Sequence, residues 1–148
     1  MAIEWGVLNL STNMTLNVLD NNGLVPSTVL SAGVPFQIAI NFQVPAGVAA
    51  LVGAGDTFRL RAYAESVGPG QELAVGQAIV AGVPFQQNYN ANIVVNPNPL
   101  LGEEQLFGGQ PVSGIYNIAC VLQHLNGGAP TMNSGMADNQ RTVMFRAP

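Results

Sequence analysis

The sequence predicts an all-β domain, a single antiparallel β-sandwich of about seven to nine strands. Three observations predict it. Apolar and polar residues alternate with a period of two along several segments, as in strands with one buried face. Gly, Pro and Asn cluster between those segments, where strands must turn. No long segment carries the spacing of an amphipathic helix. A chain of 148 residues suits one domain, here 1–148, and can bury a core without metals or disulfides.

The elements follow in order. Ile3–Leu10 opens the chain as a strand, and Met14–Val18 alternates cleanly. After the turn-rich "DNNGLVPS" comes the clearest strand, Phe36–Val44. It sets Phe36, Ile38, Ile40, Phe42 and Val44 on one face and Gln37, Ala39, Asn41 and Gln43 on the other. "PAGVAALV" at 45–52 starts with a proline suited to a first helical turn. Phe58–Ala64 points Phe58, Leu60, Ala62 and Ala64 inward. The Pro-Gly turn in "VGPGQ" leads to a strand over Glu72–Val80. Phe85–Asn96 is the next strand, and "GEEQLF" at 102–107 is a second short helical turn. Gly114–Leu125 is apolar on both faces, as a central strand is. "NGGAPTMNSGMADNQ" at 126–140 is a long loop, and Arg141–Arg146 closes the chain.

A hexapeptide, "AGVPFQ", occurs at Ala32–Gln37 and again at Ala81–Gln86. Each copy places a Gly-containing turn and a proline ahead of a strand, where a ladder hydrogen bond is dispensable. Each is expected to point its phenylalanine, Phe36 or Phe85, inward.

The stretches "SAGVPFQIAINFQV", "SGIYNIACVL" and "RTVMFRAP" together resemble immunoglobulin- and fibronectin-type-III-like sandwich modules. The resemblance implies a tyrosine corner, with the Tyr116 hydroxyl bonded to nearby backbone. It also implies that the two hexapeptide strands are the second and fifth, neighbours in one sheet. Ile118 stands where antibody domains carry a cysteine, no second cysteine exists, and Trp5 is in the first strand. An antibody-type domain is therefore excluded, and a jelly-roll is the alternative topology.

Composition narrows the partners. The chain has no lysine, four arginines and a net charge of −4. Binding a polyanion needs clustered cations, so no nucleic-acid partner is expected. No run approaches the roughly 20 apolar residues of a membrane helix, so no membrane span is expected. The N-terminus lacks a basic region followed by an apolar core, so no secretory signal is predicted in this chain. Only 8% of residues are charged, and the amide-rich surface this implies resists association poorly. That favours assembly with itself or another protein, at an extracellular or particle surface.

Catalytic chemistry finds no constellation. Cys120 and His124 share a face of one strand, but four residues separate their Cα atoms by roughly 13 Å, beyond nucleophile–base contact. Glu65 and Glu72 flank the Pro-Gly turn at an exposed hairpin tip, without the desolvation an acid catalyst needs. No cofactor is predicted. Calcium is the one metal the oxygen-rich loops "LDNNG" (19–23) and "MADNQ" (136–140) admit, although EF-hand spacing is absent. Zinc is disfavoured by a single His and a single Cys.

Binding surfaces are better marked. Gln86, Asn88, Asn90 and Asn92 line one strand face, although Asn is depleted in strands. Such a row can form amide ladders between subunits or bond to sugar hydroxyls. Arg59, Arg61 and Tyr63 form an outward stripe of residue types enriched at interfaces. Met132 and Met136 are adaptable apolar groups in the 126–140 loop, and "AGVAALVGAG" is a second apolar loop. The expected function is a non-enzymatic structural or interaction module of a larger assembly, such as a surface layer, an appendage or a particle shell. The alternative is a lectin-like glycan binder using the amide row, with Tyr63 or Trp5 as a stacking platform.

Overall fold

The computed structural model describes residues 2–5, 10–20 and 28–146, with side chains at 13–20, 28–131, 143, 145 and 146. Eleven strands and one short helix are described. They are β1 (Ala2–Trp5), β2 (Leu10–Leu19), β3 (Val29–Ser31), β4 (Phe36–Gln43), α1 (Ala46–Ala49), β5 (Thr57–Ser66) and β6 (Glu72–Ala81). They continue with β7 (Asn88–Val95), β8 (Leu106–Phe107), β9 (Gln110–Pro111), β10 (Ile115–Asn126) and β11 (Ala129–Arg146).

Two layers face each other. One layer runs β6-β5-β10-β11 and the other β2-β4-β7, with β1 pairing to both β11 and β2. β3 runs parallel to β11, and every other described pairing is antiparallel. The alternation of β4 explains its place: Phe36, Ile38, Ile40 and Phe42 are all buried. Across the sandwich, the Phe42 ring lies 5.7 Å from Phe58 of β5 and the Phe36 ring 5.2 Å from Phe145 of β11. Tyr89 of β7 stacks on Phe42 at 5.2 Å. Each large apolar side chain buried this way contributes about 1.5–3 kcal/mol.

Tyr116 opens β10 fully buried, and its hydroxyl donates to the Leu101 carbonyl at 2.9 Å, with Gln71 Oε1 at 3.1 Å. Gly114, two residues earlier, has φ +75°, and a Cβ there would meet Glu103 N and Phe145 O at 2.5 Å. Only glycine fits that close approach.

Three expectations are corrected. The 126–140 stretch is not a loop: β11 starts at Ala129 and pairs with β10 through a two-residue turn. Gly127 and Gly128 sit at φ +57° and +82°, the two positive values a type I′ hairpin turn requires. Its Gly- and Asn-rich composition imitates a loop, but the long β10 supplies a ladder along which it stays extended. "GEEQLF" is not helical either. Glu104 has φ +65°, and Leu106–Phe107 forms a small hairpin with Gln110–Pro111 over Gly108 and Gly109.

The second hexapeptide departs most. β7 starts only at Asn88, and Phe85 is 74% exposed at φ +65° instead of pointing inward. The Phe85 N–H donates to Ala49 O at 2.9 Å, and Tyr89 holds both the N–H and the carbonyl of Val83 through its hydroxyl. These bonds fix the loop in a turned path, so the strand cannot begin at Phe85. "PAGVAALV" does contain α1, with Pro45 at its N-cap, and Val48, Ala49 and Val52 tuck into the core.

Candidate functional site

The most distinctive surface is the outer face of the β2-β4-β7 layer. Asn88, Asn90 and Asn92 alternate with the buried Tyr89 and Ile93, so all three point outward and are exposed. Strand register extends the row sideways. Asn88 lies opposite Gln43, Asn90 opposite Asn41, and Asn92 opposite Ala39. β2 adds Thr15 opposite Asn41 and Asn17 opposite Ala39. The Asn92 side chain donates to Gln37 Oε1. Gln86 lies just before the strand, exposed, and its side chain donates to the Asn88 carbonyl at 2.8 Å. The outcome is a grid of amides and hydroxyls with no charged residue at any of these positions. Asn13, Thr15, Asn41, Gln43, Asn88 and Asn90 line an open depression in it.

Thr15, Asn41 and Gln43 were readable as outward positions of alternating strands, whereas Asn13 falls before the predicted Met14–Val18 strand and joins the face because β2 starts earlier, at Leu10. Their union with the Asn row depends on β4 lying between β2 and β7. That is a long-range pairing, absent from local pattern.

Arg59, Arg61 and Tyr63 lie on the outer face of the opposite layer and do not join the grid. Arg59 is half-buried and bonds to Gln123 Oε1 of β10, while its Nε has no hydrogen-bond partner among the described residues. Arg61 is exposed, and Tyr63 is 38% exposed beside an open depression with Glu65, Glu72, Asn117 and Ala119. Glu65 and Glu72 are register partners across the β5–β6 hairpin, like charges side by side. Met132 and Met136 belong to β11, not to a recognition loop, and their side chains lie outside the described residues, as does that of Trp5.

One flank of the sandwich ends in β6. This strand pairs with β5 and has no second neighbour among the described strands. It carries no charge from Leu73 to Ala81. Its inward residues Leu73, Val75, Ala78 and Val80 are only half-buried against the core, and Ile79 is 58% exposed. Gly76 lets the strand approach β7, since a Cβ there would meet Ile93 at 2.7 Å.

The described core holds an ionisable pair. His124 is buried at its strand end. Its Nε2 lies 2.9 Å from Asp56 Oδ2, and Phe58 stacks on its ring at 5.2 Å. Asp56 also accepts from the Gly53 N–H at 2.9 Å. That backbone bond holds its carboxyl below the usual 3.8; burial opposes the shift, and His124 adds to it. Cys120 projects into the core from the same strand. Burial pushes its thiol up to about 12, which suits a small hydrophobe rather than a nucleophile. His124 engages Asp56 across the fold, a partnership that no local spacing announces.

No cluster of three metal-ligating side chains occurs among the described residues. Most of the "LDNNG" segment, and all side chains of "MADNQ", lie outside them. No described helix is long and apolar enough to cross a membrane. No protein-family model matches the sequence, and no curated protein does.

Proposed function

We propose that this chain is a non-enzymatic structural module that associates with itself or with a protein of the same assembly. The observation that carries the reading is the uncharged amide grid on β2, β4 and β7. A solvent-facing sheet normally carries charges that hold molecules apart, and Asn is a poor strand former. A face built of Asn, Gln and Thr keeps hydrogen-bonding capacity without charge repulsion, which suits an interface of stacked amides.

The domain is further proposed to be an immunoglobulin-like relative. Supporting this are the β6-β5-β10-β11 and β2-β4-β7 layers, β3 parallel to β11, and the Tyr116 hydroxyl on the Leu101 carbonyl. The hexapeptide strands β4 and β7 are neighbours in one sheet, as such a relation implies. This kinship concerns fold and carries no activity.

Light scattering across a wide concentration range tests the function. Wild type should grow in mass with concentration. The double variant N88A/N90A should keep its circular dichroism and associate about tenfold more weakly, the order expected for losing one or two neutral hydrogen bonds. A strictly monomeric wild type overturns the reading. A second reading, a neutral-glycan binder, is favoured by the open depression between Asn13, Asn41 and Asn90. A blank glycan array removes it.

A further inference from the structure

We infer that the edge of β6 is a homodimer interface, in which the strand pairs antiparallel with β6 of a second copy. This rests on the self-association reading and names the surface that forms the first contact. β6 ends its layer, so one row of its backbone donors and acceptors has no strand partner among the described residues. Proteins guard such edges with lysine, proline, inward charges or a covering element. Here Leu73–Ala81 contains no charge and no proline, and the chain has no lysine at all.

The margin of the core is open at the same place. Leu73, Val75, Ala78 and Val80 face inward yet stay half-exposed, and Ile79 is exposed on the other side. An added strand would satisfy the backbone and cover Ala78 and Val80 on one side and Ile79 on the other. One guarding device is present, a bulge at Val75, the extra residue between the Ala62–Gly76 and Tyr63–Ala74 pairs. A bulge ends regular pairing. It confines the usable edge to Gly76–Ala81 and leaves Glu72 beyond it.

A second copy fits that short edge for two reasons. Antiparallel pairing of a strand with itself around a twofold axis places residues of the same facing opposite each other, apolar against apolar. No like charges meet, because the segment has none. The contact is isologous and closes as a dimer, so further growth has to use another surface such as the amide grid.

Ile79 tests this. It points outward, so Ile79→Lys should leave folding and circular dichroism unchanged while raising the dimer dissociation constant about tenfold or more in sedimentation equilibrium. Ile79→Cys gives an independent readout that needs no loss of stability. It lies close to the twofold, and the native Cys120 is buried. Mild oxidation should yield a covalent dimer from Ile79→Cys and none from Ala50→Cys, an exposed position on the loop after α1. If wild type associates but Ile79→Lys matches it, or Ile79→Cys fails to cross-link, the β6 interface is overturned and self-association stands. A monomeric wild type overturns both and leaves the edge to a strand of some other protein.

Discussion

Asp56 shows how a single residue ties the acid sensitivity of this fold to its geometry. Its carboxylate accepts from the Gly53 N–H and meets His124 Nε2 at 2.9 Å, and Asp56 and His124 are both buried. A carboxyl held below its ordinary 3.8 in the folded state gives stability that is fully present above the unfolded value. That stability is lost as pH falls from about 4 through the lower folded value, because the folded state then binds a proton less readily than the unfolded one. Urea unfolding from neutral pH down to about pH 3 should show a decline that is shallower in Asp56→Asn. The variant should also be less stable near neutrality. Equal slopes in the two proteins would assign the acid sensitivity elsewhere. Local sequence hides this pair, since Asp56 lies in the turn before β5 and His124 lies 68 residues on, in β10. By contrast, a bond from the Tyr116 hydroxyl to backbone was expected, though only from a resemblance to sandwich modules carried by Gly114, Ile118 and Cys120 around it.

At the scale of elements, the strands with one wet face were the readable ones. β4 and β5 alternate because one side meets the core and the other meets water, and their sequences keep that record. β11 was misread for a physical reason. Its Gly, Asn and Ser content is turn-like, and it stays extended through its pairing with β10 rather than through propensity. The two copies of "AGVPFQ" make the same point. In the first, Gly33 turns the chain at φ +76° and Phe36 enters the core. In the second, bonds to Ala49 and Tyr89 turn the chain at Phe85 itself, and the ring is left outside. Identical hexapeptides thus take different paths because their tertiary partners differ. The hairpin joining β10 to β11 rests on local chemistry and can be tested locally. Gly128 sits at φ +82° with nothing within 4 Å of an added Cβ, so Gly128→Ala meets no clash and only backbone strain. It should lower stability by about 1 kcal/mol in thermal or urea unfolding. No change would mean that the turn relaxes to another type.

At the scale of the molecule, the two proposed contact surfaces share one property, the absence of charge. The amide grid occupies the outer face of β2, β4 and β7, and the β6 edge lies on the flank where Gly76 brings β6 against β7. The sequence announced the outward Asn row but not the grid, because the grid exists only once β4 is inserted between β2 and β7. An interface of amides, backbone groups and apolar side chains gains little from Coulomb attraction, so salt has little to screen. Net charge of −4 adds a weak repulsion between copies, which salt reduces. Self-association is therefore expected to be unchanged or slightly stronger when sodium chloride rises from about 0.05 to about 0.5 M. Sulfate should strengthen it more than chloride at equal ionic strength, because it favours burial of apolar surface. Sedimentation equilibrium in the two salts measures both effects. A steep loss of association with chloride would point instead to the Arg59–Arg61 stripe, the charged surface on the opposite layer, as the contact that holds the copies together.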